Sequence, residues 1–493
     1  MPRQGGAGRL PATPGSGYAR AAKTAAPSLN PKHSGIPMPQ FADFEQARAW
    51  LAEHPQVRYV DLLLPDQMGI PRGKRVTVAE LEGIHRSGLM LPASMFALDV
   101  LGGTVQATGL GFDEGDADRI CLPLPGSLAI VPWLGGHVAQ MQVAMYEHDR
   151  TPFFGDPRHV LEQVLGRFAA RGLTPVMAVE LEFYFVDRER TPQGCAQPAR
   201  QPLSGRREDK TQINSMAELD EYSAVLTAID EAARAQDLPA GTVLAEYGPG
   251  QFEVNLHHVP DALSACDHAI RLKRLVKGVA LAHGLDATFM PKPYRDHAGS
   301  GTHLHVSLLD RDGRNVFAAD DPQGSPALRQ VIGGLAATLN DTMAVCAPTA
   351  NSYRRFQPEA YVPLNPSWAV NNRGVAFRVP AGPPASRRVE HRVTGADANP
   401  YLLAAMVLGG MLHGLEHALD PGPALAGNAY RDNTPSIPLS WPEALAAFER
   451  SEFARECLGE RFARLYAQTR RGEMQDFGSY VSPLEYSWYL TTV

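Results

Sequence analysis

The sequence predicts a chain of mixed α and β structure in two parts: a small α+β domain over residues 38–148, and a larger domain over 149–493 in which strands alternate with helices. Three observations predict this. The stretch VRYVDLLLPDQMGIPRGKRV alternates and turns like a hairpin, with Asp66–Gly69 at the turn. Asp156-Pro157 then opens a run of Val160, Leu161, Val164, Leu165 and Phe168 at helical spacing, which Gly172 ends. Next comes VMAVELEFYFV, rich in β-branched and aromatic residues, a strand signal.

The elements follow in order. FADFEQARAWLAE reads as a short amphipathic helix. Short strands separated by Pro and Gly continue to about residue 145. After VELEFYF, a loop with Pro192, Gly194, Pro198, Pro202 and Gly205 leads to a helix over Glu218–Gln236. Then come strand-like GTVLAEYGPGQFEVNL, a helix over Ser264–His283, and strand-like ATFMPKP and GTHLHVSLL. No internal repeat is visible.

Composition narrows the function classes. A hydrophobic content of 44% supports a substantial core, and no apolar run approaches the length of a membrane span. The net charge of -7 argues against a general nucleic-acid binder and suits cationic ligands. The five cysteines show no CxxC spacing, which points to a reducing compartment, the cytoplasm, with neither a disulfide framework nor a zinc site. Residues 1–37 are rich in Gly, Pro, Ala and Ser, and the first acid is Asp43, so a disordered tail is expected. A transit peptide, or translation starting at Met38, are the other readings of this segment.

Glu180 and Glu182 stand two apart in VELEFYF and so share one face, while Leu181, Phe183 and Phe185 take the other. Two carboxylates side by side on a rigid strand fit a wet face. They also fit a hard divalent cation, which takes oxygen ligands and cancels the repulsion. More such groups recur: Glu246 and Glu253 flank a Gly-Pro-Gly turn, His303 and His305 share a strand face, and Glu390 lies in RRVEHRV. Glu182, Glu246 and Glu253 are candidates for one cation site, and Glu180, His303 and Glu390 for a second. Arg354, Arg355, Arg373, Arg378, Arg387, Arg388 and Arg392 crowd one stretch that holds only Glu359 and Glu390 as acids. Arginine clamps beside divalent metals are a means of stabilising phosphoryl transfer. There is no GxxxxGK[ST] loop and no kinase HRD or DFG set.

RGKRV, VELEFYF, EYGPGQFEVNL, MPKPYRDHAGSGTHLHVSL, NSYRRF, NNRGVAFRVP and RRVEHRVTGADANPYL, in this order, resemble the glutamine synthetase family of ATP-dependent ligases over residues 55–493. The resemblance implies an α+β fold: an N-terminal β-grasp domain and a catalytic domain built on a curved antiparallel sheet with helices outside. It implies homo-oligomeric stacked rings, a dodecamer, with sites at subunit interfaces, and Mg²⁺ or Mn²⁺ with ATP as co-substrate. Glu182, Glu246 and Glu253 match the metal site near glutamate, and Glu180, His303 and Glu390 the metal site at the ATP phosphates. Gly299, Arg355 and Arg392 match glutamate binding, Arg373, Arg378 and Arg388 the phosphate-stabilising arginines, and Ser307 a residue near the nucleotide. Glu253 is a candidate base for the attacking amine.

This chain departs from the family at the ammonium site. The flexible-loop Glu is replaced by Tyr361, the ammonium-binding Asp of the N-terminal domain by Pro92 or Ala93, and an Asn of the glutamate loop by Ala298. A pocket without those carboxylates suits an organic amine better than ammonium, so the sequence resembles the γ-glutamylpolyamine and γ-glutamylputrescine synthetase branch. The expected partners are L-glutamate, ATP and an organic amine, with no nucleic acid and no membrane. The competing expectations are an ordinary glutamine synthetase and a non-catalytic relative; Tyr361 opposes the first and the full ligand set the second.

Overall fold

The computed structural model describes residues 41–210, 213–431 and 434–493; the expectations for residues 1–37 lie outside them. Asp43 caps α1 (Phe44–Glu53) by accepting from the Glu45 amide. The hairpin forms as expected: β1 (Tyr59–Pro65) pairs antiparallel with β2 (Pro71–Thr77), and Asp66 Oδ1 ties the turn by accepting from the Met68 and Ile70 amides. After α2 (Leu81–Ser87) come β3 (Leu89–Pro92), β4 (Asp118–Pro123), β5 (Ala129–Ile130) and β6 (Val138–Tyr146). The six strands form one mixed sheet in the order β2-β1-β6-β4-β3, with β5 also on β6; β1 and β6 run parallel.

The second part begins with α3 (Pro157–Ala170), capped by Asp156 as its sequence predicts. β7 (Thr174–Val186) follows. The single helix expected over 218–236 is two, α4 (Met216–Glu221) and α5 (Ser223–Ala235). Tyr222 leaves helical geometry between them and stacks on Phe185, centroids 5.4 Å apart. Next are β8 (Ala240–Ala245), β9 (Gln251–Leu256), α6 (Ala262–Ala282), β10 (Asp286–Thr288) and β11 (Thr302–Leu309). The strand expected in ATFMPKP stops at Thr288, and 289–301 runs irregularly through Pro291 and Pro293. The chain ends with α7 (Pro326–Cys346), β12 (Trp368–Val370), β13 (Phe377–Val379), β14 (Val389–His391), α8 (Pro400–Glu416), α9 (Trp441–Arg450), α10 (Glu452–Leu458), α11 (Glu460–Ser479) and α12 (Pro483–Tyr489).

The second sheet has eight strands in the order β12-β13-β14-β11-β7-β9-β8, with β10 also on β7. Every pairing in it is antiparallel except β12 with β13. The sheet is therefore essentially antiparallel and the fold is α+β, as the family resemblance implies. Leu181, Phe183, Phe185, Phe252, Val254, Leu304 and Val306 line the sheet's buried face and join one large core with α3, α5, α6, α7 and α8. The first sheet has its own core, which Phe153 and Leu465 of the second part enter. The described residues form one compact unit.

Helix α8 is apolar nearly all round and almost wholly buried, as expected for a helix inside a large core. It crosses α7 at glycines: a methyl on Gly334 would come within 2.1 Å of Gly410 O, and one on Gly414 within 2.0 Å of Gln330 O. Among the described residues no helix is long and apolar enough to cross a membrane.

Candidate active site

The site is made by strand register. Residues paired across neighbouring strands present their side chains on the same face. Glu182 of β7 pairs with Glu253 of β9, Glu180 of β7 with His303 of β11, His305 of β11 with Glu390 of β14, and Arg378 of β13 with Glu390. A row of Glu253, Glu182, Glu180, His303, His305, Glu390 and Arg378 thus runs across five strands opposite the apolar face. Glu246 reaches the row from the end of β8, brought back by the Gly248–Gly250 turn.

Ligand atoms of Glu182, Glu246 and Glu253 lie within 4.8 Å of one another. Among the described residues no lysine or arginine is within ion-pair distance of any of the three. Burial and then Glu182 push the Glu246 carboxyl up to about 8; burial and then Glu180, Glu182 and Glu246 push Glu253 up to about 9. An all-oxygen set of three crowded carboxylates, none of them ion-paired to a lysine or arginine, fits a hard divalent cation such as Mg²⁺ or Mn²⁺.

The second set is arranged differently. Glu180, Glu253 and His303 form one cluster and Glu180, His305 and Glu390 another, so His305 joins the residues the sequence pointed to. His303 Nδ1 is 3.0 Å from Glu180 Oε2 but 4.0 Å from Glu390 Oε1. Glu390 is held by Arg378, 2.7 Å from its Oε2, and by Arg392 on its Oε1. Burial would raise the Glu390 carboxyl, yet Arg392, His305, His303 and Arg378 bring it down to about 2. Burial likewise opposes ionisation of Glu180, and hydrogen bonds from His303 and His305 outweigh it, holding it well below the usual carboxylate range. Arg388 Nε donates to His305 Nδ1 at 3.2 Å, which puts the His305 proton on Nε2, 2.9 Å from Glu180 Oε1. His303 is the imidazole that faces only carboxylates, the better ligand of the two.

Arg355 and Arg392 are buried, 4% and 5% exposed. Arg355 Nη1 donates to Val393 O, and Arg392 Nε to Arg373 O. Gly299 must be glycine: a methyl there would meet Arg355 Cγ and Pro291 O, both at 2.7 Å. Ser307 and Arg388 line a cavity of about 480 Å³ that opens from Glu180 and His305. Arg373 is exposed on the loop after β12. Tyr361, half exposed, stacks on Tyr247, and Pro92 and Ala93 lie at the end of β3 in the other sheet.

Sequence reasoning missed Gln251, whose Nε2 donates to Gly299 O at 3.1 Å and lies 3.5 Å from Glu182 Oε2. Its place two residues before Glu253 on β9 was the available signal. Asn255, His257 and His258, which continue β9 into the cavity beside Ser307, were also missed.

Comparison with known proteins agrees with this geometry. Residues 154–489 match the family model of the glutamine synthetase catalytic domain. The γ-glutamylputrescine synthetase of Escherichia coli (strain K12) is 42% identical over 90% of this chain and 94% of its own length. A glutamate–isopropylamine ligase from a Pseudomonas species is 31% identical over 86% of this chain and 93% of its own. A solved structure described as a GmaS/ADP complex superimposes with a TM-score of 0.78 at 28% identity, covering 90% of this chain and 98% of that one. The chain belongs to the glutamine synthetase family and is a carbon–nitrogen ligase of that family.

Proposed function

We propose that this enzyme joins the γ-carboxylate of L-glutamate to an organic amine, a polyamine or small monoamine, with ATP as co-substrate, in amine catabolism in the cytoplasm. The similarity to a γ-glutamylputrescine synthetase and a glutamate–isopropylamine ligase supports the class of reaction. The observation that carries the choice of amine is local. Glutamates and histidines cluster as cation ligands would, and at the loop position where the family resemblance implies a carboxylate the ring of Tyr361 stacks on Tyr247.

In this reading Arg355 and Arg392, with the Gly299 backbone, hold the glutamate carboxylates. The γ-carboxylate attacks the γ-phosphorus of ATP, ADP leaves, and γ-glutamyl phosphate forms. Arg373, Arg378 and Arg388 stabilise charge on the transferred phosphoryl group. The amine then attacks the acyl carbon, phosphate leaves, and Glu253 is the nearest candidate to take the amine proton. Divalent cations held by Glu182, Glu246 and Glu253, and by Glu180, His303 and Glu390, would neutralise the carboxylate row and the phosphates.

Two further readings accompany this one. The two sheets, each with a core, support domains at 38–148 and 149–493. The exposed Phe477, Tyr480, Tyr486, Trp488 and Leu490 at the C-terminus support self-association into a homo-oligomer. The deciding experiment is ATP-dependent phosphate release with glutamate across a panel of amines including ammonium; glutamine formation exceeding every amine product would return the enzyme to ordinary glutamine synthesis.

A further inference from the structure

Away from the carboxylate row lies a second cavity, of about 690 Å³, between β2 and the turn before it on one side and α6 on the other, floored by Phe289–Pro291. That volume is in the range of small-molecule sites. In a chain of net charge -7 its walls carry six cationic side chains and only two carboxylates. Two of the cations, Arg75 and Arg274, share Asp61 at 2.6 Å each, and Arg72 is paired with Asp66 at 2.9 Å.

The lysines are not so compensated. Lys74 Nζ donates to Met90 O and Lys273 Nζ to Ala398 O, each at 3.1 Å. Lys277 has no carboxylate within ion-pair distance among the described residues. Lys273 and Lys277 stand one turn apart on α6, and both ammonium groups lie over the Phe289 ring, at 5.6 and 5.7 Å from its centroid. Asp397, the other carboxylate of the cavity, has its Oδ2 taken by the hydroxyls of Thr349 at 2.9 Å and Ser352 at 2.7 Å. Burial brings the Lys273 ammonium down to about 7; Lys277 beside it adds to that effect and Asp397 opposes it. Leu63, Met68, Ile70 and the Phe289 ring supply apolar surface between the charges.

We propose that this cavity binds a small organic anion with an apolar body and two acidic groups, one facing Lys273 and Lys277 and the other Lys74 on the strand wall. The carboxylates or phosphate oxygens supply the counter-charge that the lysines lack, and the carbon body packs on Phe289. Such a ligand would sit one hydrogen bond from the glutamate loop, because Pro291 O in the cavity floor accepts from Ser300 N at 2.8 Å.

Phthalate is the probe, with benzoate as the single-charge control. Binding is measured calorimetrically on the full chain, first alone and then saturated with ADP, Mg²⁺ and glutamate, so that the catalytic arginines are occupied in the second titration. The expected result is saturable binding of one phthalate per chain, tighter than benzoate. Lys277→Met should weaken it at least about tenfold, the loss expected for one charge-assisted contact, and Lys210→Met, outside the cavity, should leave it unchanged. Lys277 is exposed, so its variant is expected to melt like wild type. No saturable binding, binding that Lys277→Met leaves intact, or binding abolished by ADP and glutamate would each overturn the proposal; the last outcome assigns the anion to the catalytic site only.

Discussion

Tyr361 lies against Tyr247 with ring centroids 5.9 Å apart and planes 23° from parallel, on a loop where Tyr361 and Glu359 both adopt left-handed backbone angles, φ +52° and +61°. Such angles are costly for non-glycine residues and persist where surrounding structure enforces them. The rings offer an alkyl amine apolar contact and a cation–π face, whereas ammonium, small and strongly hydrated, needs fixed negative charge. The expected preference for an organic amine over ammonium is at least about tenfold in kcat/KM, about 1.4 kcal/mol. Tyr361→Glu should narrow the gap by improving ammonium use. An unchanged ratio in that variant would detach Tyr361 from amine choice.

Metal removal has two expected consequences. EDTA-treated enzyme should be inactive, and adding Mg²⁺ or Mn²⁺ should raise its melting temperature by relieving the crowding of Glu182, Glu246 and Glu253. Glu182→Ala should abolish turnover with the fold retained. Glu253→Gln should raise the melting temperature of the metal-free protein while abolishing turnover, because one crowded carboxyl is removed. Glu390 is a harder test, since Glu390→Ala leaves Arg378 and Arg392 without their partner, a loss of about 3–5 kcal/mol for buried pairs; Glu390→Gln keeps hydrogen-bond acceptance and is the better variant. Turnover in EDTA near the normal rate would refute the metal assignment.

The two arginine roles separate kinetically. Arg373→Ala, at an exposed position, should chiefly lower kcat, because it meets charge that develops during phosphoryl transfer. Arg355→Ala should chiefly raise KM for glutamate. Steady-state kinetics in which both variants altered only KM for ATP would show the roles to be misassigned.

Packing between α7 and α8 predicts opposite effects for two glycine substitutions. Gly334→Ala forces a methyl against the α8 backbone and should destabilise by at least about 2 kcal/mol. Gly166→Ala, inside α3 with nothing within 4 Å of the added methyl, should stabilise by about 0.5–1 kcal/mol. Denaturant unfolding of both variants checks the contrast, and equal shifts would show that the crossing can relax.

Local pattern carried much of this into the sequence. The i, i+2 placement of Glu180 and Glu182 and of His303 and His305 put each pair on one face, and Asp156-Pro157 marked a helix start. Pairing is a tertiary property, and so the assembly of the row was less legible. Nothing local to His305 says that it faces Glu390, or that Glu390 is gripped by two arginines. The stack of Tyr247 on Tyr361 joins residues from distant segments for the same reason. Tyr222 broke an otherwise regular helical pattern because its ring found Phe185, a partner that periodicity does not see. The alternation of strands and helices does not tell the direction of pairing; the antiparallel sheet was expected from the family resemblance alone, and the strand pairings agree with it.

The burial of α8 bears on how the chain is made. α3 and α7 are synthesised long before α8 and rest their apolar faces on it. A nascent chain halted before Pro400 therefore carries uncovered stripes on both helices and on the inner face of a finished sheet. Holding factors at the ribosome have their greatest purchase in that interval, and a premature stop codon there yields an aggregating fragment instead of a smaller enzyme.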